Sequence, residues 1–143
     1  MSDLPPPRIR LQVPRASQYL GMVRRVVAMA AERVGFDPED VDKIELAIDE
    51  ACSNAVLYGG DGPGLLDVEV VVTPQRFAVT LRDDGEAFDF EGRGNFDLSE
   101  RNRSVEYGGL GIYIIKNFMD EVSYRHDERG NTLRMAKLRS VGV

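Results

Sequence analysis

Short stretches in which apolar and polar residues alternate with a period of two indicate half-buried β-strands in five places. A tight turn over residues 73–76 joins the second strand to the third and predicts a β-hairpin, and Gly130 marks the turn between the last two strands. Pro14 ends the first strand. The predicted strands are residues 8–13, 66–73, 77–83, 122–126 and 132–138.

Apolar residues recur at helical spacing in three further stretches. The first helix covers residues 17–34 and stops at Gly35. The second begins with a capping Asp37 and a proline at the first helical position, and it runs to about residue 57. The third follows a glycine-rich segment and ends near residue 119.

The element order is strand, helix, helix, two strands, a long polar segment, helix and two strands. This order predicts an α+β fold, a two-layer α/β sandwich with helices on one face of a mixed, mainly antiparallel sheet. The polar segment at residues 86–107 is far longer than a usual connection, which is typical of a functional lid or a disordered loop. Residues 1–7, with three consecutive prolines, predict a disordered lead-in.

The 143 residues suit a single domain, 1–143. A net charge of −6 disfavours direct binding to nucleic acid, whose phosphates are also negative. No apolar run approaches the roughly 20 residues of a membrane span, and the N-terminus lacks the features of a signal peptide. One cysteine excludes a disulfide framework or a multi-cysteine metal site. We therefore expect a cytoplasmic protein with no membrane contact.

Glu50 and Asn54 lie one turn apart on the second predicted helix and share a face. A helical wheel places both between the apolar side and the solvent side, and it places Asp49 on the solvent side. A carboxylate there can accept a proton, and an amide oxygen can ligate a hard cation such as Mg²⁺. Taken alone, the pair is as compatible with scattered polar positions on a structural helix.

Two glycine-containing segments are the other candidates. Asp83 ends a strand and precedes Gly85, so its carboxylate can accept a hydrogen bond from an amino group while the glycine admits a flat base. Residues 108–111 (GGLG) lead into a helix whose N-terminal N–H groups can bind phosphate. Each segment alone is equally typical of a turn or a hinge.

The order of these segments resembles the Bergerat fold of the GHKL ATPases, which is the histidine kinase-like ATPase fold. Locally, residues 50–56 (EACSNAV), 83–89 (DDGEAFD) and 108–115 (GGLGIYII) resemble the N, G1 and G2 boxes of the anti-sigma-factor serine/threonine kinases. The resemblance extends over residues 8–137, essentially the whole chain.

The resemblance implies a residue-by-residue assignment for an ATP/ADP-binding kinase that uses Mg²⁺. Glu50 is then the catalytic base, and Asn54 ligates the Mg²⁺ that bridges the phosphates. Asp83 binds the adenine amino group, and the segment 86–107 is the lid over the phosphates. The nucleotide-binding residues are Asn54, Asp83, Gly85, Ala87, Gly108, Gly109, Leu110, Gly111 and Thr132.

The resemblance also implies partners. The family phosphorylates a serine or threonine of a STAS-domain anti-anti-sigma protein, sequesters a sigma factor in a partner-switching system, and acts as a homodimer. Two alternatives stay open on the sequence: a non-catalytic, ATP-gated protein-binding module, and a detached ATP-binding domain of a histidine kinase. The presence of Glu50 favours the kinase, and the absence of a phosphoacceptor helix disfavours the last alternative.

Three residues depart from the family pattern. Tyr58 replaces the usual histidine of the N box, and Ala87 stands where glycine is frequent. Asn131 follows Gly130 where threonine is common, and the neighbouring Thr132 is the hypothesised substitute. Because none of these departures falls on Glu50 or Asn54, we expect them to change the affinity for the nucleotide more than the rate of phosphoryl transfer.

Overall fold

The computed structural model describes residues 4–60, 63–87, 90 and 109–139. Its strands form one five-stranded sheet in the order β1-β2-β3-β5-β4, and every described pairing is antiparallel. The predicted mixed sheet is therefore wholly antiparallel in this part of the chain, and the predicted hairpin is confirmed by the pairing of Thr73 with Arg76. The strands are β1 (Arg8–Pro14), β2 (Leu65–Thr73), β3 (Arg76–Asp83), β4 (Glu121–Asp127) and β5 (Gly130–Leu138).

Three α-helices are described: α1 (Leu20–Arg33), α2 (Pro38–Tyr58) and α3 (Gly109–Phe118). A short 3₁₀ turn at Ser17–Tyr19 precedes α1, so the first predicted helix is α-helical only from Leu20 onward. Helix α2 lies between α1 and α3 and packs against both. None of the described helices is long and apolar enough to cross a membrane.

The helices and one face of the sheet share a single hydrophobic core. In β2 and β3, alternate side chains are buried and the ones between them are more exposed, which is the pattern of a sheet covered on one face. The two-layer α+β architecture predicted from the sequence is confirmed. Fully buried core residues come from both layers: Val23, Val27, Ile44, Ile48, Leu66, Val70, Phe77, Val79, Ile112, Ile115 and Met135.

Two segments that the sequence predicts to be irregular contact the folded core. The carbonyl of Pro7 accepts a hydrogen bond from the Val72 N–H at 3.2 Å, so sheet hydrogen bonding reaches into the expected lead-in. Phe90, within the expected lid, is buried and stacks on Tyr124 with ring centroids 5.5 Å apart, and Lys116 Nζ lies 4.9 Å from the Phe90 ring centroid. Of the expected lid, residues 86, 87 and 90 are described, and residues 88–89 and 91–107 lie outside the described part of the chain.

Cys52 is a core residue of α2, as its apolar neighbours predict. Burial, with a smaller contribution from the negative charge of Asp49, raises the pKa of its thiol to about 12. Since the thiolate is the reactive species, the native protein should resist iodoacetamide at pH 8, whereas the chain unfolded in denaturant is alkylated. Mass spectrometry distinguishes the two outcomes, and rapid labelling of the native protein would contradict the buried placement.

Candidate active site

Helix α2 carries the two candidate catalytic side chains. It begins with Asp37 at the N-cap position in extended conformation and Pro38 in the first turn, as the sequence predicts, but the Asp37 side chain makes no capping hydrogen bond. Glu50 is half-buried, at the boundary that the helical wheel gives it, whereas Asn54 is only 4% exposed and belongs to the buried side. Asp49 is also half-buried, so it is less exposed than the wheel predicts.

The surroundings of Glu50 make it a stronger proton acceptor than an exposed glutamate. Burial, and secondarily the negative charge of Asp49, raise the pKa of the Glu50 carboxyl above its ordinary value of 4.5. A base whose pKa lies closer to neutrality takes up a proton more readily during a reaction at neutral pH. The arrangement is therefore suited to deprotonating a hydroxyl group.

Glu50 lies directly against the first turn of α3. A Cβ atom built on Gly111 would be 2.5 Å from Glu50 Oε2 and 3.4 Å from its Cδ, which is too close for real atoms. Gly111 thus leaves the space that the carboxylate occupies. The structure brings together the N-box and G2-box segments that are about 60 residues apart in the sequence.

Replacing Gly111 with alanine tests this contact. We expect the added methyl to displace the Glu50 carboxylate and to lower turnover by on the order of tenfold, since small misplacements of catalytic groups are costly. Because alanine favours helix by about 1 kcal/mol over glycine, we expect the melting temperature not to fall along with the turnover. Gly21→Ala on α1, where nothing lies within 4 Å, is the matched control. Equal turnover in the two variants would contradict the contact.

The candidate base-binding carboxylate, Asp83, lies at the end of β3 and is 8% exposed. Its Oδ1 accepts hydrogen bonds from the Gly85 N–H at 2.8 Å and from Asn131 Nδ2 at 2.9 Å. Among the described residues, none donates a hydrogen bond to the other oxygen, Oδ2. One oxygen is therefore fixed by the protein, and the second is available to a ligand donor.

Asn131 is a site residue whose role the sequence does not reveal. Its Nδ2 donates to Asp83 Oδ1 and also to the Glu86 carbonyl at 2.9 Å. Its Oδ1 accepts a hydrogen bond from the Tyr124 hydroxyl and lies 3.1 Å from His126 Nδ1. Because its amide is held from both sides, Asn131 fixes the orientation of Asp83. The feature of the sequence that could have indicated this role is the position of Asn131 directly after Gly130. The pairing of β5 with β3 places Asn131 opposite Asp83.

The structure does not bring Thr132 to Asp83. Thr132 is paired with Arg82 and Arg125, whereas Asp83 is paired with Asn131. Successive side chains of a strand point to opposite faces, so Thr132 lies on the face that Arg82 occupies. The hypothesis that Thr132 substitutes for a base-binding threonine does not fit this register, which places Asn131 opposite Asp83.

Gly85, the glycine of the G1 segment, is placed by a backbone contact. Gly85 lies against Gly59, just beyond the end of α2, because a Cβ atom on Gly85 would be 2.5 Å from Gly59 Cα. Ala87 is exposed, two residues further along the chain. Tyr58 is the last residue of α2 and is half-buried.

Helix α3 supplies the remaining candidates. Gly109 is its first residue, and Leu110 is 43% exposed. Gly108 lies outside the described residues. The first N–H groups of a helix have no partner within it and mark the positive end of its dipole. Gly111, in this first turn, lies against the Glu50 carboxylate. The site thus combines a half-buried glutamate whose pKa is raised, the start of a helix, and an oriented aspartate at the end of the sheet.

Comparison with known proteins identifies the family. The family model of the histidine kinase-like ATPase domain matches residues 13–137. The serine-protein kinases RsbW of Halalkalibacterium halodurans and Bacillus velezensis are each 32% identical to this chain over 136 and 135 residues. These matches cover 92% and 90% of this chain and 83% and 84% of the relatives. The chain belongs to the histidine kinase-like ATPase family and, within it, to the anti-sigma-factor serine kinases.

Two solved structures share the fold. The structure of the RsbU and RsbW domains of Rv1364c from Mycobacterium tuberculosis has a TM-score of 0.68 and 18% identity, and it covers 92% of this chain. This chain spans 32% of that longer one. The SiaB–SiaC complex from Pseudomonas aeruginosa has a TM-score of 0.61 and 13% identity, and the match covers 92% of this chain and 88% of that chain.

Proposed function

We propose that the chain transfers the γ-phosphoryl group of ATP to a serine or threonine of a STAS-domain anti-anti-sigma partner. In the alternative state of the partner switch, it holds a sigma factor. The observation that carries this proposal is the placement of the Glu50 carboxylate, whose pKa is raised, against the first turn of α3. The names of the two RsbW relatives support the same class of reaction.

Nucleotide recognition is assigned to Asp83 and the start of α3. Asp83 Oδ2 accepts a hydrogen bond from the adenine amino group, while Oδ1 is held by Gly85 and Asn131. The N–H groups in the first turn of α3, which have no partner within the helix, attract the phosphates. The bound nucleotide then lies between the end of β3 and the face of α2 that carries Glu50 and Asn54.

Asn54 fits the role of a Mg²⁺ ligand. Its side chain is buried, and its Nδ2 has no hydrogen-bond partner among the described residues. A buried amide without its hydrogen bonds is costly, so this side chain is suited to meeting a bound ligand. Its Oδ1 is the hard oxygen donor that Mg²⁺ prefers. When bound, Mg²⁺ supplies charge neutralisation on the phosphates.

Glu50 acts on the acceptor hydroxyl during transfer. It accepts the proton as the hydroxyl oxygen forms a bond to the γ-phosphorus, and the bond from that phosphorus to the bridging oxygen breaks. The products are the phosphorylated partner and ADP, and the proton on Glu50 returns to solvent. Because phosphoryl transfer is catalysed mainly by positioning and electrostatics, the fixed location of Glu50 matters as much as its basicity.

A phosphoryl-transfer assay tests the proposal. The purified chain is mixed with Mg-ATP and candidate STAS-domain proteins from the same organism, and mass spectrometry locates any phosphate. We expect a phosphoserine or phosphothreonine that disappears with Glu50→Ala and with Asn54→Ala. Nucleotide binding without modification of any partner would replace the kinase by an ATP-gated binding module. Pull-down of sigma factors in ATP and in ADP tests the second partner.

The described sheet ends in two edge strands, β1 and β4, and we assign the proposed homodimer to β1. β1 is an edge strand, and only its β2 side is paired. An open edge can accept a strand from a second copy. Sedimentation equilibrium distinguishes a dimer from a monomer. The bonds from Val72 N–H to Pro7 and from Arg15 N–H to Gly64 set the alternation of the ladder and turn the Arg10 N–H away from β2, so a proline at Arg10 should weaken a dimer that uses this edge.

A further inference from the structure

Arg15 is a charged residue with an unusual degree of burial. It follows β1, and its side chain is only 5% exposed. Its Nη1 lies 3.4 Å from the Gly60 carbonyl oxygen, its Nε lies 3.7 Å from Asp84 Oδ1, and its Nε has no hydrogen-bond partner in the described part of the chain. A buried guanidinium with such incomplete pairing contributes little to stability by itself. Its effect therefore lies in how it positions the groups that it contacts.

Two glycines leave the space for the guanidinium. A Cβ atom on Gly59 would be 2.1 Å from Arg15 Nη1, and a Cβ atom on Gly64 would be 2.7 Å from Arg15 Nε. A backbone hydrogen bond joins the same two segments, since the Arg15 N–H donates to the Gly64 carbonyl at 2.9 Å. The guanidinium thus fills the gap between the end of α2 and the segment that enters β2. The carbonyls at the end of a helix carry partial negative charge, which attracts a cation there.

The contact continues from Gly59 to the base-binding aspartate. On its other side Gly59 lies against Gly85, where a Cβ atom would be 2.5 Å from Gly59 Cα and 2.8 Å from Asp83 Oδ1. The Gly85 N–H in turn donates to Asp83 Oδ1 at 2.8 Å. Arg15, Gly59, Gly85 and Asp83 therefore form an unbroken series of close contacts with no flexible side chain between the guanidinium and the carboxylate.

We propose that Arg15 is a positioning residue for Asp83. By holding the end of α2 against the turn after β3, it fixes the Gly85 N–H on Asp83 Oδ1 and so aims Oδ2 at the adenine amino group. This inference rests on the proposed adenine-binding role of Asp83. It assigns to Arg15 selectivity for the amino group of the base rather than general affinity for triphosphates.

Calorimetric titration of the full chain with two nucleotides tests the inference. ATP carries the 6-amino group, and purine riboside triphosphate lacks it. We expect the wild type to prefer ATP, and Arg15→Ala to weaken ATP binding roughly tenfold, the loss of about one charge-assisted hydrogen bond. Binding of purine riboside triphosphate should change less than about twofold, because that nucleotide makes no use of Asp83 Oδ2. Arg10→Ala, on the same strand with a side chain 74% exposed, is the matched control.

A second variant covers the case in which Arg15→Ala does not fold. Gly64→Ala keeps the arginine and displaces its guanidinium, so it should reproduce the selective loss, and Arg15→Lys should restore part of it. An equal loss for both nucleotides, or an unchanged preference for ATP, would overturn the inference alone. A wild type that does not distinguish the two nucleotides would overturn the role of Asp83 and the inference with it.

Discussion

Glu50→Gln lowers phosphoryl transfer by roughly 10²–10⁴-fold, the usual contribution of a general base, and leaves ATP affinity nearly unchanged. The amide matches the carboxylate in size, so it still fits against Gly111, but it cannot accept the hydroxyl proton. In the wild type the raised pKa of Glu50 also moves the acid limb of the pH–rate profile above that of an ordinary glutamate. Single-turnover rates from pH 4 to pH 8 measure both effects.

The same substitution should stabilise the fold at neutral pH. The folded-state pKa of Glu50 lies above its unfolded value, so stability from the protonated form is complete below about pH 4.5 and is lost as the pH rises through the folded pKa. The glutamine side chain is neutral throughout and avoids this loss. The melting temperature of Glu50→Gln should therefore exceed that of the wild type at pH 7, and the difference should shrink in acid.

Asp42→Asn is the control for this charge removal, because Asp42 is exposed on the same helix. It should leave phosphoryl transfer at the wild-type rate and should not reproduce the gain in melting temperature expected of Glu50→Gln. A Glu50→Gln variant that transfers phosphate at the wild-type rate would remove Glu50 from the mechanism, whatever its stability.

Asn54→Leu should also raise the stability of the fold while lowering the rate of phosphoryl transfer. Leucine is close in shape to asparagine and has no polar side-chain atoms, so it removes the buried Nδ2 that lacks a partner among the described residues. We expect a gain of about 1 kcal/mol, which raises the melting temperature by about 2–4 °C in a domain of this size. The rate of phosphoryl transfer should fall by on the order of 10²-fold or more, because a bound metal ion stabilises the charge of the transition state by several kcal/mol.

The measurements are calorimetric unfolding and single-turnover transfer with Mg-ATP. Ser53→Ala, one residue away and exposed, is the control and should leave both unchanged. If Asn54→Leu is less stable than the wild type, the amide has a structural partner and the proposed ligand role weakens. If it is more stable and still transfers phosphate, another residue ligates the metal.

Most of the fold follows from local sequence patterns. The alternation in residues 66–73 and 77–83 predicts both strands of the central hairpin, and Asp37 with Pro38 places the start of α2 correctly. Periodicity also puts Glu50 at the edge of the buried side. These features depend on neighbouring residues and on burial of one face, which a sequence displays directly.

The remaining features depend on contacts between distant segments. Whether Asn131 or Thr132 meets Asp83 depends on the pairing of β5 with β3, and a prediction of strand ends to within one or two residues cannot decide it. The burial of Arg15 depends on gaps at Gly59 and Gly64, 44 and 49 residues away, whereas an arginine after a strand ordinarily indicates solvent exposure. The closeness of Gly111 to Glu50 likewise appears only when α2 and α3 pack.

The turn between β4 and β5 has a consequence for how the proposed recognition of adenine can change. Gly130 adopts a φ of +117°, and a Cβ atom there would be 2.1 Å from the Asp83 carbonyl oxygen, so only glycine fits and the ladder is fixed at this point. One residue inserted between Gly130 and Asn131 would exchange the faces of every side chain that follows. Insertions before Gly130 would merely lengthen the turn. Insertions before Gly130 therefore leave unchanged the side chains that face the proposed adenine site, whereas insertions after it replace them.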